Sequence, residues 1–176
     1  MSSADVVIRE FDGASYPAAT PGLAALLVDA VESGAGVNFV AGVTPAEAAA
    51  WWDERREAVR SGLITPFLAL DGDLVVGSVL LIRSPNPNAP HRAEIGKVLV
   101  MRTHRRRGIA AALMAAAEDK ARADGRWLLI LDTVTGSAAD SMYQALGWTA
   151  FGIVPNHSLL TDGTPADTTF FWKDLR

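Results

Sequence analysis

Apolar and polar positions along the chain switch between two spacings, and each switch marks an element. VVIRE (6–10) reads as a short first strand. From Pro21 to Glu32 the residues Leu23, Leu26, Leu27, Ala30 and Val31 recur at helical spacing, and SGAG (33–36) stops the helix. TPAE (44–47) predicts a second helix start: Thr44 caps, Pro45 suits the first helical position, and Glu47 completes a capping box. That helix is expected to run through AAAWWDERREAVR to SG at 61–62. The stretch 66–82 predicts a hairpin turning at Asp71-Gly72, and the Pro/Asn-rich 84–91 reads as a loop. AEIGKVLVM (93–101) predicts a fourth strand, whose alternation sets Glu94, Gly96, Val98 and Val100 on one face and turns Lys97 away from Val98. A helix is expected from Gly108 to about Asp124, stopped by Gly125. The nearly unbroken apolar run RWLLILDTV (126–134) predicts a buried strand. SAADSMYQAL (137–146) predicts a short helix closed by Gly147. WTAFGIV (148–154) and DTTFFWK (167–173) read as the last strands, joined by a loop over 155–166.

This order predicts an α/β (α+β) fold, about seven strands in one mixed sheet with about four helices on its faces. The 176 residues suit a single domain, 1–176, with no internal repeat. The net charge of −4 argues against a general nucleic-acid binder, which draws most of its affinity from a basic surface. The absence of cysteine removes disulfides, thiolate metal sites and a cysteine nucleophile, and fits a reducing cytoplasm. MSSADVVIRE does not have the form of a secretory signal, and no apolar run approaches the roughly 20 residues that span a bilayer. The expectation is a soluble, cytoplasmic protein with no membrane and no nucleic-acid partner.

The run THRRRGIAAALMAAA (103–117) changes the picture. Helix starts favour negative charge, yet Arg105, Arg106 and Arg107 stand at one. A bound anion would reconcile them. The first N–H groups of a helix point one way and form an anion site. Gly108 lets a ligand approach the backbone, Ala110 adds little bulk, and arginines add forked charge-assisted bonds to phosphate. No P-loop and no dinucleotide fingerprint is present.

Arg105-Arg106-Arg107-Gly108-Ile109-Ala110 resembles the Arg/Gln-x-x-Gly-x-Gly/Ala signature of the GCN5-related N-acetyltransferases (GNATs). LLILD followed by Ala139-x-x-x-Tyr143-x-x-x-Gly147-Trp148 is similar to the family's next strand and Tyr-bearing helix, in the expected order. The resemblance covers roughly residues 66 to 174, and LDTVTGSAADSMYQALGW with DGTPADTTFFWKDL looks like the branch containing the tabtoxin-resistance acetyltransferases. It implies a mostly antiparallel central sheet and acetyl-CoA as cosubstrate. Its pyrophosphate would lie on Arg105 to Ala110, and its pantetheine arm on the backbone of VLVM (98–101), that is Val98, Leu99 and Val100. It also implies a small-molecule amine acceptor, and a homodimer as a modest expectation.

Acetyl transfer from a thioester to an amine needs a held carrier, a deprotonated amine, a stabilised oxyanion and a protonated leaving thiolate. Proximity in a ternary complex supplies much of the rate, so no covalent intermediate is required. Tyr143 is the candidate general acid, since a phenol keeps its proton at neutral pH and the family places a Tyr of this motif near the CoA sulfur. Its bland role is core packing. Asp132 and Glu94 are the candidate bases. Asp132 interrupts a buried run, and its bland role is to cap TVTGS. By resemblance both acids line the acceptor site, and either removes the amine proton, directly or through water, or binds a cationic substrate. A backbone N–H within 98–100 is the expected oxyanion donor.

Lys97 is given no role. His91, His104 and His157 are scattered, and no metal is expected. Of Trp51 and Trp52, one is expected in the core and the other beside the acceptor, while residues 53–57 read as a solvated face. The first two helices and the 155–166 loop are expected to shape the acceptor pocket, with Asp29, Glu32 and Asn38 in reach. Two alternatives stand beside the enzyme: a non-catalytic acyl-CoA-binding sensor on the same fold, and a DNA-binding helix, which the acidic net charge opposes.

Overall fold

A computed structural model describes residues 6–176. Its strands are β1 (Val7–Glu10), β2 (Ile64–Asp71), β3 (Leu74–Arg83), β4 (Arg92–Val100), β5 (Leu128–Val134), β6 (Thr149–Leu159) and β7 (Pro165–Asp174). Its helices are α1 (Tyr16–Glu32), α2 (Pro45–Asp53), the short α3 (Arg56–Arg60), α4 (Ile109–Ala123) and α5 (Ala138–Ala145). The seven strands form one sheet in the order β1-β2-β3-β4-β5-β7-β6. Every neighbouring pair is antiparallel except β4 and β5, which α4 links as a parallel crossover.

The alternation of each strand divides the apolar side chains between two layers. On one face Ile95, Leu129, Leu131 and Phe171 pack with Leu113 and Met114 of α4 and Tyr143 of α5. On the other, Leu68, Leu80 and Leu99 pack with Leu23 and Leu27 of α1 and Trp52 of α2.

Four boundaries differ from the pattern-based reading, each for a local reason. Helix α1 begins at Tyr16 rather than Pro21. Asp12 opens it by accepting from Ser15 N–H at 2.8 Å, and the Tyr16 hydroxyl donates to the Trp52 carbonyl at 2.9 Å. Two prolines in the first turns hide a buried stripe that starts at Tyr16 and Ala19.

The second helix starts with the expected capping box but breaks after Asp53. The Arg55 guanidinium takes the Trp51 carbonyl, and the Arg55 N–H turns to the Trp52 carbonyl at 3.0 Å instead. The helical ladder therefore loses one step there.

The hairpin before Arg83 already begins at Ile64. Strand β6 does not end at Val154. It takes up two extra residues between Val154↔Thr168 and Ser158↔Ala166, with Asn156 at φ 54° and its N–H on the Asp167 carboxylate at 3.0 Å, and then pairs again. Most of the expected 155–166 loop is thus hairpin.

Candidate active site

The site starts from an interruption in β4. Leu80 pairs with Gly96 and Ser78 pairs with Leu99, so Val79 faces two residues, Lys97 and Val98. This is a β-bulge, with Lys97 at φ 49°. The Ser78 hydroxyl donates to the Lys97 carbonyl at 2.8 Å and fixes it. The bulge corrects the expected alternation. Glu94 and Gly96 share the α1–α2 face, whereas Val98 and Val100 pack on the α4 side. Lys97 is turned toward the α1–α2 side, where its ammonium donates to the Val37 carbonyl at 3.1 Å and sits 4.6 Å from the centre of the Trp51 ring.

A second interruption opens the sheet. β4 and β5 pair only from Arg92↔Leu128 to Glu94↔Ile130, although β4 continues to Val100 and β5 to Val134. Past Glu94 the strands part, and among the described residues the β5-facing edge of β4 has no strand partner there. Glu94 and Asp132 border this gap on the α1–α2 face. Tyr143 borders it from the opposite layer, 5% exposed, its ring beside Trp148 and Phe171.

The groups around the gap sense one another. Partial burial raises the Glu94 carboxyl above the ordinary range, Asp132 raises it further, and Lys97 and Arg92 oppose the rise. Burial, reinforced by Asp132, raises the Tyr143 phenol, so it is protonated at neutral pH. Burial, and after it Arg55, lowers Lys97, Asp132 and Glu94 pull the other way, and the balance stands at about 8. The structure thus brings Glu94, Asp132 and Tyr143 to one opening and adds Lys97, which the regular strand reading had turned away. The Gly96-Lys97 pair was the available signal, since a glycine inside a strand often marks a bulge.

Tyr143 is held through its helix. Ser137 caps α5 by accepting from Asp140 N–H at 3.2 Å. Buried Asp140 accepts from Gly136 N–H and the Gln144 amide, each at 2.7 Å. Gly147, at φ 80°, ends the helix and returns Trp148 N–H to the Tyr143 carbonyl at 3.0 Å.

The loop before α4 leads into an open helix start. Gly108 is at φ 76° and caps α4 without a side chain, and the first turn holds no acid. The first intrahelical bond is Ala112 N–H to the Gly108 carbonyl, so the N–H groups of Ile109, Ala110 and Ala111 stand free of the ladder. The three arginines differ. Arg105 donates to the Val100 carbonyl at 3.1 Å and the Ser33 hydroxyl at 2.6 Å, tying the loop to β4 and to the end of α1. Arg106 and Arg107 are exposed and have no ion pair among the described residues.

Asp29 and Glu32 lie on the last turn of α1. Both bind Arg102, at 2.7 and 3.1 Å, and Asp29 also accepts the Arg102 N–H. They also border a groove of about 700 Å3 between α1 and α2 that includes none of Glu94, Lys97, Asp132 or Tyr143. Trp52 is the core tryptophan, and Trp51 stands edge-on to it at 4.8 Å. The loop after α1 reaches over the end of β5, where Gly36 lies against Val134, and Ala41 N–H donates to the Thr161 carbonyl in the β6–β7 turn at 2.7 Å. Asn38, at φ 66°, belongs to this cover.

The histidines are dispersed: His91 stacks on Trp127, His104 contacts Asp71 at 3.1 Å, and His157 meets Phe170 edge-on. Among the described residues no three His, Cys, Asp or Glu side chains are grouped to hold a metal ion, and no helix is long and apolar enough to cross a membrane.

Solved structures share this architecture. A ribosomal-protein-alanine N-acetyltransferase from Brucella melitensis matches with a TM-score of 0.77 at 24% identity over 96% of this chain and 99% of that one. yncA from Salmonella typhimurium, solved with its cofactor acetyl-CoA, matches at 0.75 and 21% over 98% and 95%. An N-acetyltransferase from Staphylococcus aureus Mu50 matches at 0.79 and 20% over 98% and 99%. The family model of the acetyltransferase (GNAT) family matches residues 22–148. That span runs from α1 to Trp148 and takes in the Arg105–Ala110 loop, the parted strands and the Tyr143 helix alike: the chain belongs to the GNAT acetyltransferases.

Proposed function

We propose that the protein moves the acetyl group of acetyl-CoA to a primary amine of a small molecule by direct attack in a ternary complex. One observation carries the reading. β4 and β5 part with two carboxylates on one face of the gap and a protonated phenol on the other. Donor and acceptor entering from opposite faces would meet between them.

The free N–H groups of Ile109 to Ala111, with Arg106 and Arg107, suit a pyrophosphate. Val98, Leu99 and Val100 offer an edge that β5 leaves unpaired, on which Arg105 holds the Val100 carbonyl, for an extended arm and an N–H for the thioester oxygen. Glu94, raised by burial and by Asp132, accepts the proton of the ammonium directly or through water. The freed amine nitrogen bonds to the thioester carbon as the carbon–sulfur bond breaks. Tyr143 gives its proton to the departing thiolate, and the second proton that nitrogen loses as the amide forms restores the phenol through solvent.

Calorimetry with acetyl-CoA, dephospho-CoA and adenosine, on wild type and on Arg106→Ala with Arg107→Ala, tests the first half. Micromolar binding weakened in the double variant is expected. Thiol release on an amine panel tests the second half. Binding without turnover of any amine would favour a sensor on the same fold, and no binding of any CoA species would sink the proposal.

A further inference from the structure

Beside the carboxylates stands a second charged group with the opposite sign. The Arg55 guanidinium lies 3.1 Å from the centre of the Trp51 ring, and the Lys97 ammonium lies 4.6 Å from the same centre. Neither has a committed acid. Among the described residues the one acid that Arg55 meets is Glu54, at 3.7 Å, whose side chain is 74% exposed. Lys97 has no carboxylate within ion-pair distance among the described residues, and its one hydrogen bond is to the Val37 carbonyl.

Stacking on Trp51 and the bond to the Trp51 carbonyl account for Arg55 alone. They do not account for a half-buried lysine drawn in next to it. A lysine stem ordinarily carries its head out to water. Here the bulge turns the head inward, toward another cation. Two like charges sharing one indole repel, and Arg55 lowers the proton affinity of Lys97. An anion lying against both would relieve that repulsion.

We propose that Arg55 and Lys97, gathered on Trp51, form an anion subsite, so that the acceptor is an amine that also carries a carboxylate or a similar small anion. This deepens the acetyltransferase reading and rests on it. Glu94 and Asp132 receive the ammonium end of such a zwitterion, and the two cations receive its anionic end. The subsite selects the acceptor, and the acids act on its nitrogen. An amine without an anion would leave the cations uncompensated, and a dianion would face the carboxylates.

The test uses glycine, β-alanine and 4-aminobutanoate, each beside its carboxamide, so that chain length scans the spacing between the two charges. Indole 1H–15N spectra of the protein, with Trp51→Phe identifying the Trp51 signal, read binding without any need for turnover. A saturable Trp51 shift with at least one acid is expected. It should be weaker by about tenfold or more with the matching carboxamide and in Lys97→Met or Arg55→Gln. Lys97→Arg, which keeps the charge, should retain part of the preference. In thiol-release assays the same variants should raise the acceptor KM while acetyl-CoA binding stays unchanged. Equal response to acid and carboxamide, no saturable response to any of the acids, or an acid preference that survives Lys97→Met would overturn the subsite. The two readings fail separately. Acetyl transfer to acid and carboxamide alike removes the subsite and leaves the enzyme. An acid-selective Trp51 shift in a protein that does not bind acetyl-CoA removes the enzyme and leaves the subsite.

Discussion

Glu94 and Lys97 lie three positions apart on β4 and yet face the same side of the sheet, because the bulge opposite Val79 inserts one residue between the two halves of the strand. A regular strand would hold one of them against α4. The consequence is electrostatic. Lys97 holds down a carboxyl that burial and Asp132 push up, and Glu94 and Asp132 in turn support an ammonium that burial and Arg55 weaken.

Lys97 should therefore titrate near neutrality, at about 8 rather than 10.5. The 13Cε shift of Lys97 followed against pH measures this directly, and Arg55→Gln should move the midpoint upward. Stability carries the same information. Below pH 8 the ammonium is charged in both states, and the folded protein bears the full cost of burying it. Between pH 8 and 10.5 the unfolded chain binds a proton that the folded one has released, so stability rises with pH across that window. The gain is at most about 3 kcal/mol. Denaturation of wild type and Lys97→Met at several pH values should show the rise only in wild type. Parallel curves would contradict the burial of this charge.

In the proposed transfer Glu94 sets the acidic limb of the rate profile. Its raised carboxyl must lose a proton before it can accept one from the acceptor, so kcat/KM should climb with pH through a midpoint above the ordinary carboxylate value of 4.5. Asp132→Asn removes one of the two causes of the rise and should move that limb to lower pH. Glu94→Gln should abolish it and cost about 10²–10⁴ in rate. A limb that stays in place in both variants would assign the base elsewhere.

Tyr143 separates chemistry from binding. Its ring is wedged beside Trp148 and Phe171, so Tyr143→Phe keeps the packing and deletes only the proton donor. A fall in kcat of roughly 10²-fold or more, with acetyl-CoA affinity unchanged, is expected. Stopped-flow thiol release and calorimetry check the two halves. An unchanged kcat would reduce Tyr143 to a core residue.

Much of this was legible in the residues. Thr44-Pro45-x-Glu47 announced its capping box, Asp71-Gly72 its hairpin, and Arg105 to Ala110 a helix start that lacked its own anion. What stayed hidden were the places where one group takes another's partner. The Arg55 guanidinium takes the Trp51 carbonyl and cuts a helix that reads as continuous. The inserted residue in β4 shifts the alternation that periodicity assumes, so Lys97 reads as opposite in face to Glu94 and instead shares its side. Asp29 and Glu32 both pair with Arg102, which their spacing does not announce. The first is a side chain competing for a backbone acceptor one turn away, the second depends on one inserted residue, and the third joins residues far apart in the chain; periodicity averages over all three.

Behind Tyr143 a buried charge pair holds α4, β7 and the end of α5 together. Glu118 accepts from both Lys173, at 2.9 Å, and the Trp148 indole N–H, at 3.2 Å, while Lys173 also donates to the Leu146 carbonyl at 2.8 Å. Glu118→Leu leaves an ammonium and an indole N–H without their acceptor in a largely buried place. A loss of about 2–4 kcal/mol is expected, below the cost of a fully buried orphan because Lys173 remains 20% exposed. Adding Lys173→Met removes the stranded charge and should recover part of the loss, leaving the cost of the unpaired Trp148 N–H, about 1–3 kcal/mol. Urea denaturation of wild type, both single variants and the double variant gives the coupling between Glu118 and Lys173. If the double variant is destabilised by the sum of the singles, the two residues act independently and the pair does not anchor the Tyr143 helix.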